Sequence, residues 1–234
     1  GHAVTIVGWD DDFSASKFAV APPGNGAWIV RNSWGTGWGD GGYFYVSYHD
    51  RTFGRWWLPG YVFDGSEPVT NYDDVFQYDE LGLVTCIGNG ETAAAANVFT
   101  TTRDLTVEAI GCYMLAPGAS YRISIHVGCT AEDPSSGTAE GVTTGTREWD
   151  GYDTIRLSSP VRVAAGSRFA VVLEITTPGL DYPIPIEMVL EGARTGKAQA
   201  SPGQSFVMCG SQWFDMTQQD ATMNFCCKAY VKYA

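Results

Sequence analysis

Trp28-Ile29-Val30-Arg31-Asn32-Ser33-Trp34-Gly35-Thr36-Gly37-Trp38-Gly39-Asp40-Gly41-Gly42-Tyr43-Phe44 is the stretch whose reading decides the fold. Residues 27–32 are apolar and β-branched enough to predict a strand, and Tyr43 to Tyr48 predict another, rich in aromatic side chains. Between them the glycines at 35, 37, 39, 41 and 42 predict a loop in which the backbone takes positive φ or passes close to a neighbour. Upstream, Ala3-Val4-Thr5-Ile6-Val7-Gly8-Trp9 predicts a buried strand. Asp10-Asp11-Asp12 and Pro22-Pro23-Gly24-Asn25-Gly26 punctuate the connection, and the stretch from Asp10 to Gly26 reads as an extended hairpin. No helix is predicted in this part.

The first two strands carry the chemistry. His2 opens one, Asn32 ends the next, and Trp34 follows two residues later. A neutral amide that accepts from one imidazole nitrogen holds the ring so that the other nitrogen can serve a nucleophile. That amide works best when hidden from water, which would compete for its hydrogen bond. Taken singly, each residue has an ordinary explanation: a strand-opening histidine, a turn asparagine and packing tryptophans. The joint pattern favours the chemical reading. His49 and His126 gain no such support and read as surface or half-buried residues.

Residues 1–10 and 28–44 together resemble the histidine and asparagine regions of the papain family of cysteine peptidases. The resemblance implies that His2 is the general base and acid and that Asn32 orients it. It also implies that Trp34 shields the pair and walls the substrate cleft, Ala3 lines that cleft, and Trp38 packs beside Trp34. The family's nucleophilic cysteine and its oxyanion-stabilising glutamine both precede the histidine, and here only Gly1 does. The chain therefore reads as the C-terminal part of a longer protein, expected to be inactive alone, whose partners are a protein or peptide substrate and the missing N-terminal half of the peptidase domain. A processed enzyme of two chains is a further expectation.

Around Gly65 to Asp74 the composition turns polar and turn-forming, which divides the chain into residues 1–68 and 69–234. The second part shows short strands over 107–115, 121–127, 154–157, 168–175, 186–190, 205–209 and 223–231. Turn signals separate them at Pro117-Gly118, Ala165-Gly166, Pro178-Gly179 and Pro202-Gly203. That spacing predicts an antiparallel β-sandwich. The alanine run 93–96 suggests at most one helical turn. Asn71 to Asp79, Gly151 to Leu157, Pro160 to Val172, Gly203 to Phe206, Trp213 to Asp215 and Lys228 to Tyr230 resemble the lectin-like domain appended to certain bacterial and archaeal papain-family peptidases. The fold class is accordingly mostly β: the β-barrel-like C-terminal half of a papain-like α+β fold, then the sandwich.

Of the 234 residues, 44% are hydrophobic and 13% aromatic, enough for a packed core. A net charge of -12 repels nucleic acid and anionic membrane surfaces. No run approaches the ~20 apolar residues of a membrane span. The six cysteines (86, 112, 129, 209, 226, 227) show no Cys-x-x-Cys spacing and read mainly as small buried strand residues, with disulfide connectivity open. Each lies in β-pattern sequence without a helix N-terminus, so none is expected to replace the nucleophile. No metal or cofactor is expected; Asp10 to Asp12 and Asp73-Asp74 read as solvated turns. A cell-surface glycan is a candidate partner of the second domain through Trp149, Trp213 and Asp215, although packing roles explain these residues better. The family and the cysteines point outside the cell or to its surface. The alternative function is a non-catalytic adhesin or carbohydrate-binding protein on a pseudo-peptidase scaffold.

Overall fold

The computed structural model describes residues 2–53 and 62–234; Gly1, the first residue of the histidine motif, lies outside them. The chain forms two compact units, Gly1–Ser66 and Glu67–Ala234.

The first unit is one antiparallel sheet of β1 (Thr5–Asp10), β2 (Ala27–Arg31) and β3 (Tyr43–Ser47), in that order. The sheet is open, with no barrel closure among the described residues. The long connection from β1 to β2 holds a single 3-10 turn, Ala15–Lys17, capped by the Ser14 side chain. It is pinned back onto the sheet by Phe13, whose ring stacks 4.3 Å from that of Tyr45 and whose carbonyl accepts from Gly26 N at 3.0 Å. Apolar contact therefore gives order to a segment whose own sequence favours turns.

The second unit is nearly all sheet. Its strands are β4 (Asp74–Phe76), β5 (Thr85–Ile87), β6 (Thr92–Thr100), β7 (Leu105–Met114), β8 (Ser120–Val127), β9 (Thr138–Thr146) and β10 (Gly151–Val163). They continue with β11 (Arg168–Thr176), β12 (Ile184–Glu187), β13 (Ser205–Cys209), β14 (Gln212–Asp215), β15 (Asn224–Phe225) and β16 (Cys227–Tyr233). A four-stranded sheet, β10-β7-β16-β4, a six-stranded sheet, β14-β13-β6-β11-β8-β9, and a small one, β15-β12-β5, share one apolar core. Leu105, Ile110 and Met114 from the first meet Phe99, Ile123, Phe169 and Leu173 from the second, all almost fully buried. Each contributes roughly 1.5–3 kcal/mol by leaving water. This is the antiparallel sandwich that the turn spacing predicts.

Several elements differ from the sequence reading. β1, predicted as a buried strand, is mostly exposed, Trp9 by 67%. The alanine run 93–96 is a strand, not a helical turn: it lies in β6, paired along its length with β11. Alanine's helix preference is worth only tenths of a kcal/mol per residue, and a strand between two neighbours outweighs it. Residues 223–231 are not one strand; the chain changes sheet between β15 and β16, at Cys226. The edge strand β9 has few apolar residues and left no periodic signal.

A buried polar group joins these sheets. Asn97 on β6 is fully buried; its Nδ2 donates to the carbonyls of Phe225 (3.0 Å) and Cys227 (2.9 Å), and its Oδ1 accepts from Ser205 Oγ (2.7 Å). Removing the amide strands two buried carbonyls and a hydroxyl. Asn97→Ala is expected to lower unfolding free energy by about 2–3 kcal/mol in urea titration. A change within experimental error would show that water or relaxation replaces the amide.

Candidate active site

Register brings the histidine and the asparagine together. Thr5 at the start of β1 pairs with Arg31 at the end of β2, so His2 and Asn32 leave the sheet at the same end. His2 Nε2 donates to Asn32 Oδ1 at 2.9 Å. This assigns the Nε2–H tautomer and leaves Nδ1 for a second partner.

Two main-chain contacts fix the amide. Ser33 N donates to the same Asn32 Oδ1 at 2.8 Å, which orients the oxygen before histidine binds it. Asn32 N donates to Gly42 O at 2.9 Å, extending the β2–β3 ladder by one step. Asn32 is only 7% exposed, as an orienting amide should be. These backbone partners carry no side-chain signature and were not readable from residue types.

Trp34 lies over the imidazole, ring centroids 5.2 Å apart and tilted by 31°. Its edge meets Trp38 at 5.2 Å, and Trp38 in turn meets Phe44 at 5.5 Å. The indole is thus buttressed by a chain of rings ending on β3, although Trp34 itself is 61% exposed. Ala3 follows the histidine and is exposed. The glycine loop permits this arrangement: Gly39 has φ +57°, and a Cβ there would stand 2.5 Å from Tyr43 O. Gly39→Ala is expected to cost roughly 1–3 kcal/mol, read as a lower melting temperature of the tryptophan near-UV signal. An unchanged midpoint would mean that the loop relaxes freely.

All six cysteines lie in the second unit. Burial pushes the thiols of Cys86, Cys129, Cys226 and Cys227 up and that of Cys112 up to about 12, opposite to what a nucleophile needs. Among the described residues no cluster of His, Cys, Asp and Glu could hold a metal ion, and no helix is long and apolar enough to cross a membrane.

The three glycan candidates do not converge. Trp149 is 72% exposed beyond the end of edge strand β9, whereas Trp213 and Asp215 lie on the opposite edge strand, β14. Five strand spacings across that sheet amount to about 24 Å. Trp213 is half-buried, packs on the Val98, Cys129, Ala170 and Phe206 cluster, and donates from Nε1 to Ser135 Oγ at 3.0 Å. Asp215 accepts from Thr217 N (2.9 Å), Thr217 Oγ1 (2.6 Å) and Gly203 N (2.5 Å), capping a 3-10 turn. His49 is exposed; His126 is half-buried, bonded to Ser124 Oγ at 3.1 Å.

Residues 1–54 match the model of the papain family cysteine proteases and residues 75–231, more than half of the chain, that of the lectin-like domain. Ananain of Ananas comosus is 52% identical over 42 residues, covering 18% of this chain and 10% of that protein. A cysteine protease of Blomia tropicalis is 51% identical over 45 residues, covering 19% of this chain and 10% of that protein. Among solved structures, the clostridial cysteine protease Cwp84 after propeptide cleavage covers the whole chain at 27% identity with a TM-score of 0.80; the chain covers 58% of it. The cysteine protease and lectin-like domains of Cwp84, a surface layer associated protein of Clostridium difficile, match at 25% identity and a TM-score of 0.74, with 52% of that chain covered. The chain thus spans little more than half of these solved relatives and about a tenth of the curated ones. It belongs to the lectin-like domain family, carried behind the C-terminal histidine-and-asparagine portion of a papain-family cysteine peptidase.

Proposed function

We propose that this chain supplies the base half of a Cys-His-Asn endopeptidase whose nucleophile lies in a segment preceding it. The observation that carries the reading is the 2.9 Å bond from His2 Nε2 to the buried Asn32 oxygen, under Trp34. With Nε2 engaged, Nδ1 takes the thiol proton, and the resulting thiolate attacks the scissile carbonyl. The imidazolium then protonates the leaving amine, and a water deprotonated by the same nitrogen releases the acyl group. Asn32 acts by holding the ring in the one tautomer and orientation that serve all three transfers. Trp34 keeps water from the His2–Asn32 bond and offers an aromatic wall to the substrate.

Without a thiolate the chain alone is inactive. The cell surface, where the Cwp84 relative is associated with the surface layer, is the proposed location, with the lectin-like domain as an accessory module. The test is an epoxide or vinyl-sulfone thiol probe applied to the complete protein and to the 234-residue chain. Labelling of one upstream cysteine, abolished by His2→Ala, supports the proposal. A complete protein that is never labelled and hydrolyses no peptide would make it a pseudo-peptidase instead.

A further inference from the structure

We propose that Cys112 and Cys227 form a cross-strand disulfide that ties the last strand of the sandwich to β7 when the protein folds in an oxidising medium. The two are direct Cα partners in the antiparallel β7–β16 pair. Opposed residues of such a pair project to the same face, with Cα atoms about 4.5–5.5 Å apart, within the about 4.4–6.8 Å that a disulfide spans. Both are fully buried in the main core, and both are free thiols in this structure.

The register also makes the pairing exclusive. Cys226 stands outside both strands, at the step from β15 to β16, and its thiol lies by Asp79 and Lys228. Cys86 pairs with Pro185 in the small sheet, Cys129 belongs to the second apolar cluster, and Cys209 is exposed opposite Gln212. Of the pairings that six cysteines allow, one stands in register.

The bond forms by exchange with a low-molecular-weight disulfide. One Cys thiolate attacks a sulfur of that disulfide and expels one small thiol, giving a mixed disulfide. The second Cys thiolate attacks the protein sulfur and expels the other, so two protein thiols are oxidised and one disulfide is reduced to two thiols. Burial pushes the folded Cys112 thiol up to about 12 and that of Cys227 well above its usual range. The thiolates are therefore scarce once the sheet has closed, and exchange belongs to the stage when β16 is docking. The bond would close a loop of roughly 115 residues, long enough to restrict the unfolded chain strongly.

The 234-residue chain is refolded with a reduced and oxidised glutathione mixture, denatured, alkylated with iodoacetamide and weighed intact. The expected product carries four carbamidomethyl groups and one disulfide, which non-reducing digestion places between the Cys112 and Cys227 peptides. Its melting temperature should fall by about 10 °C on refolding under reductant. Cys112→Ser should render Cys227 alkylatable, and a Cys112→Ala, Cys227→Ala variant, if it folds, should melt alike with and without reductant. Six alkylated thiols, or a bridge through Cys226, would overturn the proposal; peptide mapping reads either outcome even where a variant fails to fold.

Discussion

His2→Ala in the complete peptidase is expected to lower kcat/KM by roughly ten-thousand-fold or more, with KM little changed. The imidazole is asked to perform every proton transfer of the cycle, and it is His2 that Asn32 Oδ1 engages. Asn32→Ala is expected to cost less, roughly ten- to a thousand-fold in kcat, because it frees the ring without removing it. The residue left behind can still reach the thiol in a fraction of its orientations. Steady-state kinetics on a peptide substrate, with matched far-UV spectra, measures both. Retention of more than a tenth of the activity by His2→Ala would eliminate His2 as the base.

The second large effect lies far from that chemistry. Lys228→Met is expected to destabilise the lectin-like unit by about 3–5 kcal/mol near neutral pH, because it leaves a buried carboxylate unpaired. Lys228 Nζ donates to Asp79 Oδ2 at 2.7 Å and to the Asp79 carbonyl at 3.1 Å, and the Asp79 side chain is fully buried. Glu187, also buried, accepts from Leu81 N beside it. Burial raises the carboxyls of both Asp79 and Glu187 above their ordinary values of 3.8 and 4.5.

A raised folded pKa means that the native state binds more protons than the unfolded chain between the two values. Stability from these groups therefore falls as pH rises through that window. Without the ammonium, Asp79 rises further, so the cost of Lys228→Met should shrink as pH drops towards 4. Adding Asp79→Asn should restore much of the loss at pH 7.5. Urea unfolding at the two pH values tests both statements; a cost independent of pH would show that Lys228 acts through packing rather than charge.

What the sequence reveals divides along the same line. His2, Asn32 and Trp34 are legible because their chemistry is specific and a hairpin between them leaves few arrangements. The Asp79–Lys228 pair is not, because its partners stand 149 positions apart and each alone resembles a solvated charge. Asn97 reads as a flaw in a strand until its carbonyl partners on β15 and β16 are seen. Alanines 93–96 mislead because local propensity takes no account of the neighbouring strands that surround β6. Long-range pairing, not composition, settles such positions.

The place of β16 has a consequence for biogenesis. The last strand of the sandwich lies inside its sheet, with β7 on one side and β4, the first strand of the sandwich, on the other. Until Cys227 to Tyr233 have left the ribosome, β7 and β4 each present an unpaired edge, and the cavity between the sheets stays open. The sandwich therefore completes only after the whole unit, from β4 to β16, has been made. Late closure leaves the nascent domain exposed to edge-to-edge association for the length of its translation.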